Sequence, residues 1–210
     1  MHFFRRSPAS PARLGVFPGT FNPVTAAHLA LATAALDLLD EVVFVLPRQF
    51  PHKAYSGATF RQRVELLTLA AAHEPRFSIA ACPKGLFVGI AAACRQAYGP
   101  AVRLSFLCGR DAAERIVNWD YGTPGAIHEI LRQFDLLVAA RAGEYQPPAG
   151  IAHACRTLQV VPGEWSHVSA TGVRERIAAG QSWEHLVPAP TRHRVREIYV
   201  PPPGCNPPTG

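Results

Sequence analysis

The sequence has no uninterrupted apolar run of about 18 residues, the minimum for a membrane-spanning helix. Its richest apolar region, Ala26 to Leu46, is broken by Asp37, Asp40 and Glu41, so no membrane partner is expected. The opening MHFFRRSPASPARLG is basic but lacks the apolar core of a secretory signal. Cysteine is sparse and unpatterned: Cys82, Cys94, Cys108, Cys155 and Cys205 are odd in number and widely spaced, with no CxxC. That excludes a zinc ribbon or a disulfide framework and predicts mostly buried thiols in a reducing cytoplasm. Also missing are the HExxH of zinc peptidases, the GxSxG of serine hydrolases and the GxxxxGKS/T phosphate loop. Charge of one sign is only weakly in excess. The 21 Lys+Arg against 15 Asp+Glu leave +6, which is compatible with a small anionic ligand and gives little reason to expect nucleic acid.

Apolar residues are plentiful. They make up 48% of 210 residues, against 17% charged, enough for one domain with a sizeable core. Short β-branched runs alternate with helix-like segments. Leu14–Phe17, Glu41–Leu46, Phe77–Ala81, Val102–Leu107, Asp135–Ala139 and Leu158–Val161 read as strands. Thr25–Leu39, Thr59 to about His73, Gly85–Tyr98, Pro124–Gln133, Thr171–Ala179 and Pro188–Tyr199 read as helices. Thr59 with Gln62 forms a capping-box signal, and Gly180 is a stop. The alternation predicts an α/β fold with a doubly wound parallel sheet over residues 14–199. A flexible basic extension (1–13) and a Pro-rich tail (200–210) are expected to flank it.

Two segments carry chemistry. In GVFPGTFNPVTAAHLALA a glycine-rich turn leads from the first strand into a helix. Gly19 permits a close approach to phosphate, and the helix N-terminus offers N–H donors. Thr25 and His28, three residues apart, share one face near that terminus and both can donate to phosphate oxygens. The same spacing also suits a plain cap and a surface histidine. In HVSATGVRERIAAG, Ser169 and Thr171 can cap a helix, while Arg174 and Arg176 fall early in it. There the helix dipole disfavours cations by about 0.3–1 kcal/mol each. A bound anion would remove that conflict.

GTFNPVTAAH resembles the (H/T)xxH signature of the nucleotidyltransferase superfamily, in particular the nicotinate or nicotinamide mononucleotide adenylyltransferases. The segment HVSATGVRERIAAGQSWEHLVPAPTRHRV resembles that family's C-terminal SxTxxR signature and the LVP stretch after it. The resemblance runs over about residues 14–199 and implies a Rossmann-like nucleotidyltransferase fold. It implies catalytic roles for His28, Thr25 and Arg174, and ATP or phosphate binding by Gly19, Thr20, Phe21, Asn22, Ser169 and Thr171. CGRD resembles the family's GxD, placing Gly109 and Asp111 by the nucleotide. PHK resembles the family's PPHK loop, placing Lys53 at phosphate and His52 near the acceptor. Trp119 stands where bacterial members have a tryptophan that helps hold the pyridine ring, although a core tryptophan is the alternative.

The implied reaction is attack of a mononucleotide 5′-phosphate on the α-phosphate of ATP. It yields deamido-NAD (or NAD) and pyrophosphate, with Mg2+ accompanying ATP and no protein metal site. The implied partners are ATP and a pyridine mononucleotide, with a homo-oligomer left open. Thr25 replaces the first His of many members, Ala27 replaces a Gly, and KGLFVGIAAAC (84–94) replaces a polar stretch. Those departures keep two alternatives open: a different phosphate-bearing acceptor such as phosphopantetheine, or a nucleotide-binding module with weak turnover.

Overall fold

The computed structural model describes residues 1–49, 57–119, 121–123, 125–139, 145–158, 165 and 167–200. Seven strands form one sheet: β1 (His2–Arg5), β2 (Arg13–Pro18), β3 (Glu41–Gln49), β4 (Phe77–Lys84), β5 (Arg103–Gly109), β6 (Asp135–Ala139) and β7 (Cys155–Leu158). Their spatial order is β1-β4-β3-β2-β5-β6-β7. Every ladder is parallel except β1 with β4. The helices are α1 (Ala26–Ala35), α2 (Phe60–Ala70), α3 (Phe87–Tyr98), α4 (Arg110–Asn118), α5 (Ala126–Ile130), α6 (Ala170–Ala178) and α7 (Arg192–Tyr199).

The inner strands, β2 to β6, are apolar on both faces because both faces are covered. Val42, Phe44 and Leu46 of β3 join Phe17, Phe77, Ile79 and Leu107 in a core completed by α1, α2, α6 and α7. The alternate residues Val43 and Val45 join Leu14, Val16, Phe106 and Val138 in a second core beneath α3, α4 and α5. Strand periodicity of two thus builds two layers of helix on one sheet, the expected doubly wound architecture. At roughly 25 cal/mol per Å2, each fully buried Phe or Leu here contributes about 1.5–3 kcal/mol.

Direction reverses beside β2. From β2 the chain moves outward through β3 to β4, and later returns to the other side of β2 through β5, β6 and β7. The carboxyl ends of β2 and β5 therefore flank the switch point, where an open α/β sheet leaves a crevice for ligand. Gly19–Thr25 leaves β2 there, and Gly109–Asp111 leaves β5 there.

Residues 1–13, expected as a loose extension, contain β1. Its backbone pairs with β4, His2 opposite Ala81 and Phe3 opposite Ala80. An edge strand needs only one apolar face, so a basic, proline-bearing segment qualifies once a partner edge exists. Arg5 anchors it through the carbonyls of Ala71 and Glu74. The Ser7 N–H donates to Ser78 Oγ at 2.8 Å. Two further differences concern the second half. α4 was not anticipated, because its N-cap is Gly109 and carries no side-chain cap bond. β7 precedes the predicted Leu158–Val161 strand, of which only Leu158 lies within the described residues. The predicted tail beyond Val200 also lies outside them.

Candidate active site

Thr25 is the N-cap of α1, and with His28 it forms a reciprocal capping box. The His28 N–H donates to Thr25 Oγ1 at 3.3 Å, and the Thr25 N–H donates to His28 Nδ1 at 3.0 Å. An Nδ1 that accepts a backbone N–H carries no proton of its own, so the neutral ring holds its proton on Nε2. The Thr25 hydroxyl lies 2.8 Å from the same Nδ1 and is 0% exposed. Thr25 therefore sets the tautomer and orientation of the imidazole from beneath. The rings of Phe21 and Phe17 hold His28 at 5.2 and 5.9 Å between centroids.

The loop before α1 is tightly built. A Cβ on Gly19 would meet the Phe21 ring at 2.8 Å. Phe21 is buried at 1% and wedged edge-on against Phe17 and Phe44, so that ring has no room to yield. Packing of Phe21 thus requires this glycine, beside any closeness to phosphate. Phe21 itself has φ +48°, a left-handed conformation uncommon outside glycine. Strain of this kind persists where surrounding structure over-determines it.

The two sequence segments meet here, although 152 residues separate Asn22 from Arg174. Arg174 Nη1 donates to the Asn22 carbonyl at 2.6 Å and to the Ala170 carbonyl at 3.3 Å. Its Nη2 reaches Thr171 Oγ1 at 3.3 Å. Ser169 is the N-cap of α6, its Oγ accepting the Gly172 N–H at 3.0 Å. The conflict expected at Arg176 is absent, because α6 ends at Ala178 and Arg176 sits in its last turn, where a cation is favoured.

Asn22 and Phe21 turn their side chains to the protein rather than toward a ligand. Asn22 is 6% exposed, and its Oδ1 accepts from the Ala58 N–H at 3.2 Å and the Tyr199 hydroxyl at 2.5 Å. Any contact these two make to a nucleotide falls to their backbone. The Thr20 carbonyl accepts from Arg63 Nη1 at 2.9 Å. Sequence reading missed both Arg63 and Tyr199, since neither lies in a motif and each reaches the loop through tertiary contact.

Across the switch point, Gly109 caps α4 and Asp111 occupies its exposed first turn. A carboxylate there suits the helix dipole and stays open to hydroxyl donors. Among the described residues a Cβ on Gly109 would meet nothing within 4 Å, and its φ is −80°. Trp119, at the end of α4, is 50% exposed, which excludes the core alternative. His52 and Lys53 lie outside the described residues. Among the described residues no three His, Cys, Asp or Glu side chains gather in a group that could hold a metal ion.

At the switch point of a doubly wound sheet, a loop bonded to an arginine from the far end of the chain leads into a helix whose first turn fixes an imidazole, the arrangement of the nucleotidyltransferase class. Comparison with known proteins narrows this. Residues 16–176 match the cytidylyltransferase-like family model, and the chain belongs to that family. It is 31% identical over 206 residues to a probable nicotinate-nucleotide adenylyltransferase of Treponema pallidum (strain Nichols), spanning 89% of this chain and 98% of that protein. A probable nicotinate-nucleotide adenylyltransferase of Citrifermentans bemidjiense is 30% identical over 215 residues, spanning 90% and 98%. The fold matches Plasmodium falciparum nicotinic acid mononucleotide adenylyltransferase complexed with NaAD. The TM-score is 0.67 over 88% of this chain and 95% of that one, at 14% identity.

Proposed function

We propose that this protein transfers the adenylyl group of ATP to nicotinate mononucleotide, giving deamido-NAD and releasing pyrophosphate. The observation that carries the reading is the bond from Arg174 to the Asn22 carbonyl, in the loop that leads from β2 into the Thr25–His28 box. The near full-length similarity to nicotinate-nucleotide adenylyltransferases supports it. An oxygen of the acceptor's 5′-phosphate forms a bond to the α-phosphorus. The bond from that phosphorus to the bridging oxygen breaks, and pyrophosphate leaves with the electron pair. The nucleophile is already an anion, so no protein base is required, and positioning with charge neutralisation supplies the rate.

In this scheme the His28 Nε2–H donates to a phosphate oxygen, held by Thr25 through Nδ1. Arg174 adds positive charge at the same end of the sheet. The Thr20 N–H and the α6 N-terminus at Ser169 and Thr171 line the phosphate path, while the Gly19 N–H donates to the Val45 carbonyl at 3.0 Å and fixes the start of the loop. Gly109 and Asp111 face the adenosine, and the exposed face of Trp119 takes the pyridine ring. Lys53 and His52 are proposed to approach the phosphates and the acceptor. Mg2+ is proposed to arrive with ATP, its ligands being phosphate oxygens and water as that ion prefers, and it supplies neutralisation of phosphate charge. A cytoplasmic setting is supported by the free thiols of Cys82, Cys94 and Cys108, all buried.

A pyrophosphate-release assay with ATP and a panel of nicotinate mononucleotide, nicotinamide mononucleotide and phosphopantetheine tests the proposal. The highest kcat/KM is expected with nicotinate mononucleotide. Release only with another acceptor, or ATP binding without release for every acceptor, would overturn it.

A further inference from the structure

The segment from Thr20 to Asn22 is held by donors from three separate elements. Arg63 of α2 donates to the Thr20 carbonyl, Arg174 of α6 to the Asn22 carbonyl, and Tyr199 of α7 to Asn22 Oδ1. Between the two clamped carbonyls stands Phe21 with φ +48°. A loop in that conformation relaxes unless its neighbours fix it. Arg63 is only 3% exposed, and its guanidinium also lies 5.5 Å from the centre of the Phe60 ring, so it is a fixed donor rather than a solvated one. Tyr199 packs against the core formed by α1, α2 and α6, and burial pushes its hydroxyl well above the ordinary tyrosine range. At neutral pH the hydroxyl keeps its proton and donates it to Asn22 Oδ1.

The geometry has a directional consequence. A planar trans peptide turns its C=O and N–H to opposite sides. Drawing the Thr20 carbonyl toward Arg63 therefore turns the Phe21 N–H away from α2. Holding Asn22 at both its carbonyl and its side chain stops the following residues from undoing that orientation.

We propose that Arg63 and Tyr199 are positioning residues of the nucleotide loop. They fix Thr20–Asn22 from behind, so that its backbone donors are already aimed when the triphosphate arrives. Neither side chain touches substrate. The proposal rests on the reading of Gly19–Asn22 as the phosphate-facing loop.

The test uses the full chain with Tyr199→Phe, Arg63→Lys and Arg63→Met. Measurements are Kd for MgATP by calorimetry without acceptor, KM and kcat for ATP, and the nucleotide-free melting temperature. Loss of one such hydrogen bond predicts Kd and KM for ATP about 3–10-fold higher in Tyr199→Phe. The nucleotide-free melting temperature should fall by no more than about 4 °C. Arg63→Lys, which keeps a cation of shorter reach, should recover part of the affinity lost in Arg63→Met. If Tyr199→Phe binds ATP as the parent does, or if Arg63→Lys and Arg63→Met are equally weak, the proposal is overturned. A lower melting temperature with unchanged Kd would reduce both residues to a structural role and also overturn it. Failure of the parent protein to bind ATP would overturn this proposal and the functional reading together. ATP binding without pyrophosphate release would overturn the functional reading alone.

Discussion

At the scale of single residues, the proposed chemistry concentrates on one imidazole whose donor atom is decided by its neighbours. The Thr25 N–H on Nδ1 leaves the proton on Nε2, and a donor that is oriented before substrate binds contributes most when charge develops. His28→Ala should therefore lower kcat by about 100–1000-fold, the loss typical of one such donor, while KM for ATP changes far less. Steady-state kinetics in ATP would show it, and a variant within tenfold of the parent kcat would remove His28 from the reaction. That Thr25 and His28 share one face was legible from their i,i+3 spacing at a helix start, whereas the bond of the Thr25 N–H to Nδ1 was not. The orientations of Phe21 and Asn22 were not. Their motif position suggested ligand contact, yet Phe21 fills the core and Asn22 binds Tyr199, 177 residues away. Contacts between residues so far apart leave no local trace in a sequence.

At the scale of elements, β3 carries an unusual burden at its first residue. Glu41 is 0% exposed, and its Oε1 accepts from Ser78 Oγ at 2.6 Å and from the Tyr98 hydroxyl at 2.5 Å. Its Oε2 has no hydrogen-bond partner among the described residues. Burial pushes the carboxyl above the usual range, and the hydrogen bonds from Ser78 and Tyr98, with the charge of Arg6, only partly oppose this. A group that binds its proton more tightly when folded contributes its stability below the unfolded pKa, about 4.3. That contribution is lost as pH rises through the folded value. The ionised carboxylate is thus a cost at neutral pH. Glu41→Gln should raise the melting temperature relative to the parent more at pH 7.5 than at pH 4, as paired thermal melts would show. A difference that is equal at both pH values, or larger at pH 4, would contradict the assignment. Elements with explicit start and stop chemistry were read well: α2 has the Thr59–Gln62 box, and Gly180 stands at φ +65° just past α6. α4 lacked such a signal because a glycine begins it, and β1 lacked a recognisable alternating pattern because it is four residues long.

At the scale of the whole molecule, the fold class was legible because the five strands β2 to β6 bury both faces, and such strands announce themselves as apolar runs separated by helix-sized segments. What composition could not show is how the chain ends close the structure. The last helix reaches the first loop through Tyr199 and Asn22, and the first strand covers the sheet edge at β4. β1 also contributes the Phe3 ring, edge-on to Tyr98 at 5.7 Å, and is followed by Arg6, stacked over both rings at 4.9 and 5.0 Å. Deleting residues 2–6 would leave the β4 edge unpaired and remove the Arg5 bonds to Ala71 and Glu74. Several hydrogen bonds of about 0.5–1.5 kcal/mol each are then lost. For a chain of this size that corresponds to a melting temperature lower by roughly 5–15 °C. The site lies at the carboxyl ends of β2 and β5, with β3 and β4 between it and the deleted strand. The kcat of the truncated protein, measured well below its melting temperature, should therefore stay within about twofold of the parent, a difference of some 0.4 kcal/mol in the barrier. Differential scanning fluorimetry and a pyrophosphate assay on the same preparation separate the two effects. An unchanged melting temperature would mean that the first six residues are the dispensable extension their composition suggests. A collapse of kcat in folded protein would mean that β1 shapes the site across two intervening strands.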